Sequence, residues 1–260
     1  MKIKLLIFSM VVLSLSFGTA LGDITNTRPV TAASGLTELQ TEFNNIGSNL
    51  NANTDQSPYA YFSVASSGTA AATYIATISY TVGDIEFGIY ELGDTTNKVK
   101  VFDSDTMSLF SGLSVSIEFY PTAPAGPLVI ASGGLVGIVD SSTDYFSDFG
   151  FYAISDYGTF YSEDALNPGG FTRMLTYAGL GDDVTIGGVT GTDADHWYVA
   201  SEVFAIGDVY TYDPLLDATN GDYSDFIVQM ESITPIPVPA AVLLGLLGLG
   251  AAGIKMRKFA

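Results

Sequence analysis

The chain contains no cysteine in 260 residues. That absence removes disulfides, thiolate nucleophiles and Cys-ligated zinc or iron–sulfur centres together. Stability has to come from packing, hydrogen bonds and any bound Ca²⁺. Small secreted eukaryotic domains usually carry disulfides, so the lack of cysteine leans towards a bacterial chain. Cations are scarce as well, with nine Lys and Arg against 28 Asp and Glu. Five of the nine, Lys2, Lys4, Lys255, Arg257 and Lys258, lie at the two ends, which leaves Arg28, Lys98, Lys100 and Arg173 among the acids of the body. Four cations against 28 acids give that body a formal charge of −24. Affinity for nucleic acid comes largely from Lys and Arg displacing counterions, and anionic lipid repels the same charge. Neither is expected as a partner of the body; divalent cations and water are its natural complements.

Histidine occurs once, at His196, and any Ser-His-Asp site would depend on it. It stands beside Trp197 with no flanking nucleophile motif and is read as structural. No helical period of useful length runs between Tyr59 and Glu231, which argues against a parallel α/β sheet, whose crossovers need helices. No internal repeat marks a solenoid or propeller. The 28 acids offer many carboxylate pairs for glycoside hydrolysis, and none stands out. No catalytic residue is assigned, and the chain is expected to be non-enzymatic.

What is present begins with two apolar ends. Lys2 and Lys4 precede a run from Leu5 to Phe17, and the small residues Gly18 to Gly22 follow, the order of a secretory signal peptide over residues 1–22. An uncleaved anchor is the alternative, for which the run is short. At the other end, residues 235–260, Pro235, Pro237 and Pro239 lead into an apolar segment and then Lys255-Met256-Arg257-Lys258. The 19 uncharged residues from Ile236 to Ile254 would span about 28 Å as a transmembrane helix, with the basic cluster cytoplasmic. The body of about 210 residues between these ends suits one all-β domain with an ample core.

Within the body, residues 23–58 read as a helix and linker. Leu36, Leu39, Phe43 and Ile46 recur at helical spacing, with Ser34 placed as N-cap. Over 59–234 the period falls to two. Tyr74, Ala76, Ile78 and Tyr80 alternate with Thr73, Thr77 and Ser79, with Ile75 breaking the polar face. Leu113, Val115, Ile117 and Phe119 alternate with Ser114, Ser116 and Glu118 without a fault. Trp197, Val199 and Val203 form another apolar face, as do Phe226, Val228 and Met230. Such short runs, broken by clusters like Asn167-Pro168-Gly169-Gly170, predict an antiparallel β-sandwich.

The C-terminal pattern resembles the PEP-CTERM sorting signal of Gram-negative bacteria, with Pro237-Val238-Pro239 standing where that family has a Val-Pro-Glu-Pro-like motif. Val238 replaces the family's glutamate. The resemblance implies recognition by an exosortase, transient inner-membrane anchoring, and export to the cell surface or extracellular matrix in connection with exopolysaccharide and biofilm. An ordinary single-pass anchor is the plainer alternative. Phe87-Gly88-Ile89-Tyr90, Val99 to Asp103, Phe149-Gly150-Phe151-Tyr152, Thr159 to Ser162, Leu166-Asn167 and Asn220 to Val228 likewise resemble an uncharacterised acidic domain common in that group. This likeness implies an extracellular β-sandwich of unassigned biochemistry.

The one candidate site is acidic. Asp208, Asp213, Asp217, Asn220, Asp222, Ser224 and Asp225 lie close together around Gly221, and Ca²⁺ takes six to eight oxygens from such groups. In the resembled pattern a strand glutamate accompanies this loop, and Glu202 stands in its place. The expected Ca²⁺ ligands are therefore Glu202, Asp217, Asn220, Asp222 and Asp225. Asn220, Ser224 and Val203 each replace a stronger ligand of the pattern, and a solvated loop of Asx turns accounts for the same residues. With 15 Tyr, 16 Phe and one Trp, a Ca²⁺-dependent carbohydrate-binding module is the alternative function; strand packing is the simpler use of those rings.

Overall fold

The structure, a computed structural model, describes residues 36–76, 85–107, 111–121, 128–133, 137–142, 144–203, 223 and 225–236. The expected signal peptide and the segment carrying Pro237, Val238 and Pro239 lie outside these residues, as does Ser34. Among the described residues no helix is long and apolar enough to cross a membrane.

The described chain is an all-β sandwich of antiparallel strands with one helix of ten residues outside it. The larger sheet runs β1 (Gln56–Ser57), β11 (Met174–Ala178), β14 (Trp197–Ser201), β15 (Phe226–Glu231), β3 (Thr69–Ala76), β6 (Ser114–Tyr120), β7 (Leu128–Gly133) and β8 (Gly137–Ser142). The smaller runs β16 (Ile233–Pro235), β2 (Tyr61–Val64), β9 (Asp148–Ser155), β4 (Glu86–Glu91) and β5 (Asp94–Asp103), with β10 (Gly158–Tyr161) also on β9. A separate hairpin pairs β12 (Asp183–Ile186) with β13 (Val189–Thr192).

Alternation decides which side chains meet between the sheets. Val115, Ile117 and Phe119 of β6 face inward, and Ser114 and Glu118 face out. The core they enter is aromatic at its centre: Phe62, Phe151, Phe87 and Phe226 meet in sequence, with ring centroids 5.3, 5.9 and 5.2 Å apart. Trp197 packs edge-on against Phe62 at 4.9 Å.

Two further layers cover the outer faces. Helix α1 (Thr37–Ile46) places Leu39, Phe43 and Ile46 on the outside of the larger sheet, as its spacing predicts. They meet Leu175, Tyr177, Tyr198, Ala200, Ile227 and Ile75, together with Val184 and Ile186 of the hairpin. This explains Ile75: the strand is buried on both faces there, so its outward residue is apolar. Leu36 begins the helix with φ 53° and no side-chain cap, and Gly47 ends it with φ 90°.

On the outside of the smaller sheet lies a tyrosine layer. Its basis is a reciprocal pairing of the two similar tetrapeptides, Phe87-Gly88-Ile89-Tyr90 on β4 and Phe149-Gly150-Phe151-Tyr152 on β9. The register sets Gly88 opposite Tyr152 and Tyr90 opposite Gly150. The Phe and Ile side chains point into the core, and each tyrosine ring occupies the space over the other strand's glycine. A Cβ added at Gly150 would come within 2.6 Å of the Tyr90 ring, and one at Gly88 within 2.6 Å of the Tyr152 ring. Tyr61 and Tyr161 close on Tyr90 edge-on, at 5.9 and 5.2 Å. Asn167 secures the loop beside them, donating to the carbonyls of Tyr161 and Phe171 and accepting from the Tyr161 amide.

Candidate functional site

The acidic candidate site sits where β14 ends and β15 begins. Glu202 follows the last residue of β14, Asp225 precedes the first of β15, and both are 3% exposed. Their carboxylates cross over. Glu202 Oε2 accepts from the backbone N–H of Tyr223 at 3.3 Å, and Asp225 Oδ2 accepts from that of Val203 at 2.6 Å. The ladder continues beneath them, with the Asp225 amide donating to Ser201 O. The residue before the intervening segment thus fastens the chain after it, and the residue after it fastens the chain before.

Tyr223 shows how firmly this mouth is held. Its φ is 54°, a left-handed value rare for a bulky side chain, and its ring is buried. Its hydroxyl donates to Thr172 O at 2.9 Å, so packing and two hydrogen bonds hold the backbone in place.

The structure adds a residue that composition did not single out. Arg173 precedes β11, and the β11–β14 register, one step beyond Met174 and Ser201, sets it opposite Glu202, whose amide donates to Arg173 O at 2.9 Å. It is 1% exposed, with its guanidinium 5.1 Å from the Phe160 ring centroid. One of the body's four cations is thus buried next to the candidate carboxylates. The sequence carried little signal for this, since Arg173 follows the loop Asn167-Pro168-Gly169-Gly170 and only Phe171 and the run from Met174 flank it with apolar residues.

Of the expected Ca²⁺ ligands, the structure brings Glu202 and Asp225 together; Asp217, Asn220 and Asp222 lie outside the described residues. Each of the two carboxylates gives one oxygen to a backbone N–H. Both lie at the mouth of the segment that carries the other three expected ligands. A full shell of six to eight oxygens would draw the rest from the segment that carries the other three. Among the described residues no group of three His, Asp or Glu is placed to hold a metal ion.

The remaining buried carboxylates are likewise engaged. Glu163 accepts from the Tyr61 hydroxyl. Asp193 takes the amides of Gly181 and Asp182, both at 2.7 Å, and the Tyr198 hydroxyl at 3.0 Å. Burial, and then these carboxylates, push the Tyr61 and Tyr198 phenols well above their ordinary range. His196 Nε2 lies 3.9 Å from Glu231 Oε1. The aromatic residues offered as a sugar-stacking platform are mostly interior: Tyr61, Tyr90, Tyr152 and Trp197 are buried, whereas Tyr120 and Tyr157 are exposed.

Comparison of the chain with protein-family models, with curated proteins and with solved structures gave no match.

Proposed function

We propose that this chain is an exported cell-surface or extracellular-matrix protein, associated with exopolysaccharide and biofilm, with no catalytic activity of its own. The supporting observation is the use made of its buried acids. Glu163, Asp193, Glu202 and Asp225, the carboxylates buried among the described residues, all accept hydrogen bonds from backbone amides or tyrosine hydroxyls. A general acid or base has to present its proton site to a reacting group; these four hold strands and loops instead. The apolar ends and the proline motif Pro237-Val238-Pro239 support export, transient anchoring in the inner membrane and exosortase processing.

A Ca²⁺-dependent carbohydrate-binding module is the second reading, favoured by the convergence of Glu202 and Asp225 at one loop mouth. A glycan array probed with the full chain, in Ca²⁺ and in chelator, separates the two. Retention on bacterial exopolysaccharide in both conditions, with no new reducing ends, is the expected result. Binding that disappears in chelator selects the second reading. Release of reducing ends, or no retention on any polysaccharide, overturns the first.

A further inference from the structure

A cavity of about 170 Å³ lies between the β12–β13 hairpin and the outer face of the larger sheet, beyond the edge of the helix-covered core. Its floor is a polar row laid across three neighbouring strands. Gln229 of β15, Thr73 of β3 and Ser114 of β6 stand in register, with His196 and Glu231 one step further along. Its roof is aliphatic, formed by Val184, Ile186 and Val189 of the hairpin.

The roof is held in place. The hairpin turns through Gly187 and Gly188, at φ 57° and 82°, and Gly187 is packed onto the turn before β6. A Cβ added to Gly112 would lie 2.6 Å from Gly187 Cα, so two backbones meet there with no room for a side chain. The cavity is therefore formed before any ligand arrives, which lowers the cost of binding.

The floor has hydrogen-bonding capacity left over. Thr73 Oγ1 and Ser114 Oγ are 2.7 Å apart, and Gln229 Nε2 donates to the Tyr198 hydroxyl at 3.2 Å. Gln229 keeps its Oε1 and a second N–H, and each hydroxyl keeps a further lone pair. Val189 is 75% exposed and Glu231 half-buried with its side chain reaching solvent, which puts the open mouth at their end. His196 Nδ1 is buried with no partner, a group whose desolvation a ligand hydroxyl would offset.

We propose that this cavity binds one neutral hexose residue of a glycan. A pyranose ring has both faces of this site built into it: hydroxyls at its edge that donate and accept, and C–H groups on its face. The polar floor answers the first and the aliphatic roof the second. The volume, about that of six liquid waters, is below the roughly 300–1,000 Å³ of drug-sized sites and suits a single ring, with the rest of the chain leaving past Val189. The body's −24 charge and Glu231 select against uronic acids and sulfated sugars. A metal is a poor alternative, since His196 and Glu231 supply only two ligands. The assignment rests on the glycan-associated reading for its choice of polyhydroxyl ligand.

Saturation-transfer NMR on the full chain, with neutral oligosaccharides of glucose, galactose and mannose and with galacturonate oligomers as the anionic control, tests it. Binding of at least one neutral series is expected, weakened roughly tenfold or more in both Glu231→Ala and Val189→Asp. Val189 is exposed and Glu231 half-buried, and unchanged melting temperatures would show that the variants fold. Neutral binding undiminished in both variants overturns the site, as does binding of galacturonate alone. If exopolysaccharide retains the full chain but no neutral oligosaccharide binds, the site falls and the functional reading stands. If neither occurs, both fall.

Discussion

Gly88 and Gly150 are the residues whose replacement separates two kinds of crowding. The nearest atoms a methyl at Gly150 meets belong to the Tyr90 side chain, whereas the nearest to one at Gly88 is the backbone oxygen of Val99, which cannot swing aside. Gly88→Ala is therefore expected to cost more than Gly150→Ala, with both within or somewhat above the ~1–3 kcal/mol typical of overpacking. Denaturant midpoints measure this, and a Tyr90→Leu change should relieve Gly150→Ala while leaving Gly88→Ala unaided. Equal costs at the two glycines would remove the distinction. Both tetrapeptides were visible in the sequence, but their reciprocity was not. It depends on which strand lies beside which and in what register, and no local pattern carries that. The inward Phe87, Phe149 and Phe151 follow simple alternation; the outward tyrosines are buried because each finds a glycine to lie on.

The element most in need of explanation is the junction of β14 and β15. Asp225→Ala removes the acceptor of the Val203 amide, and the unsatisfied buried donor should cost about 1–3 kcal/mol whether or not Ca²⁺ is present. Asp225→Asn keeps an acceptor and should cost less. If the junction also forms part of a Ca²⁺ site, millimolar Ca²⁺ at fixed ionic strength will raise the melting temperature of the wild type more than that of Asp225→Asn or Asp222→Ala. Equal shifts in all three would mean simple screening of the acidic body. The sequence made the acids visible as a cluster. It did not distinguish acids that bind backbone from acids that bind a cation, because both uses want carboxylates beside a loop. Elsewhere the element signals were stronger. Leu39, Phe43 and Ile46 read as the buried stripe of α1, and β6 read as a strand with a wet face, because each has one interior side. The strands with an interior on both sides, β14 and β15, show only half their pattern, and Ile75 looked like a fault for the same reason.

At the scale of the whole molecule, the tyrosine layer and Tyr198 set a limit in alkali. Burial is the largest cause that raises the phenols of Tyr61, Tyr90, Tyr152 and Tyr198 above the usual value of 10.0, with neighbouring carboxylates adding to it at all four. Below that value neither the folded nor the unfolded chain ionises, and stability is unaffected. Above it the unfolded chain releases protons that the folded chain keeps, so stability falls as pH rises past about 10. Denaturant midpoints should drop between about pH 9 and about pH 11, with phenolate absorbance from these residues appearing as the protein unfolds. Added NaCl would counter general repulsion among the acids but not this loss. A midpoint that holds constant across the interval would show that the four phenols ionise in place.

The flank where β5 meets β8 bears on how such a body behaves at high concentration. The Lys100 amide on β5 donates to Asp140 Oδ2 on β8 at 2.8 Å, and Ser142 of β8 donates to Asn97 of β5. One sheet's edge thus caps the other's with side chains. At the opposite flank, β1 has two residues and β16 three, the last of them Pro235. Exposed, straight strand edges are what let sandwich proteins add to one another without limit. Among the described residues the outer strands of both sheets are thus short or capped by side chains, which leaves little straight edge for another chain to extend.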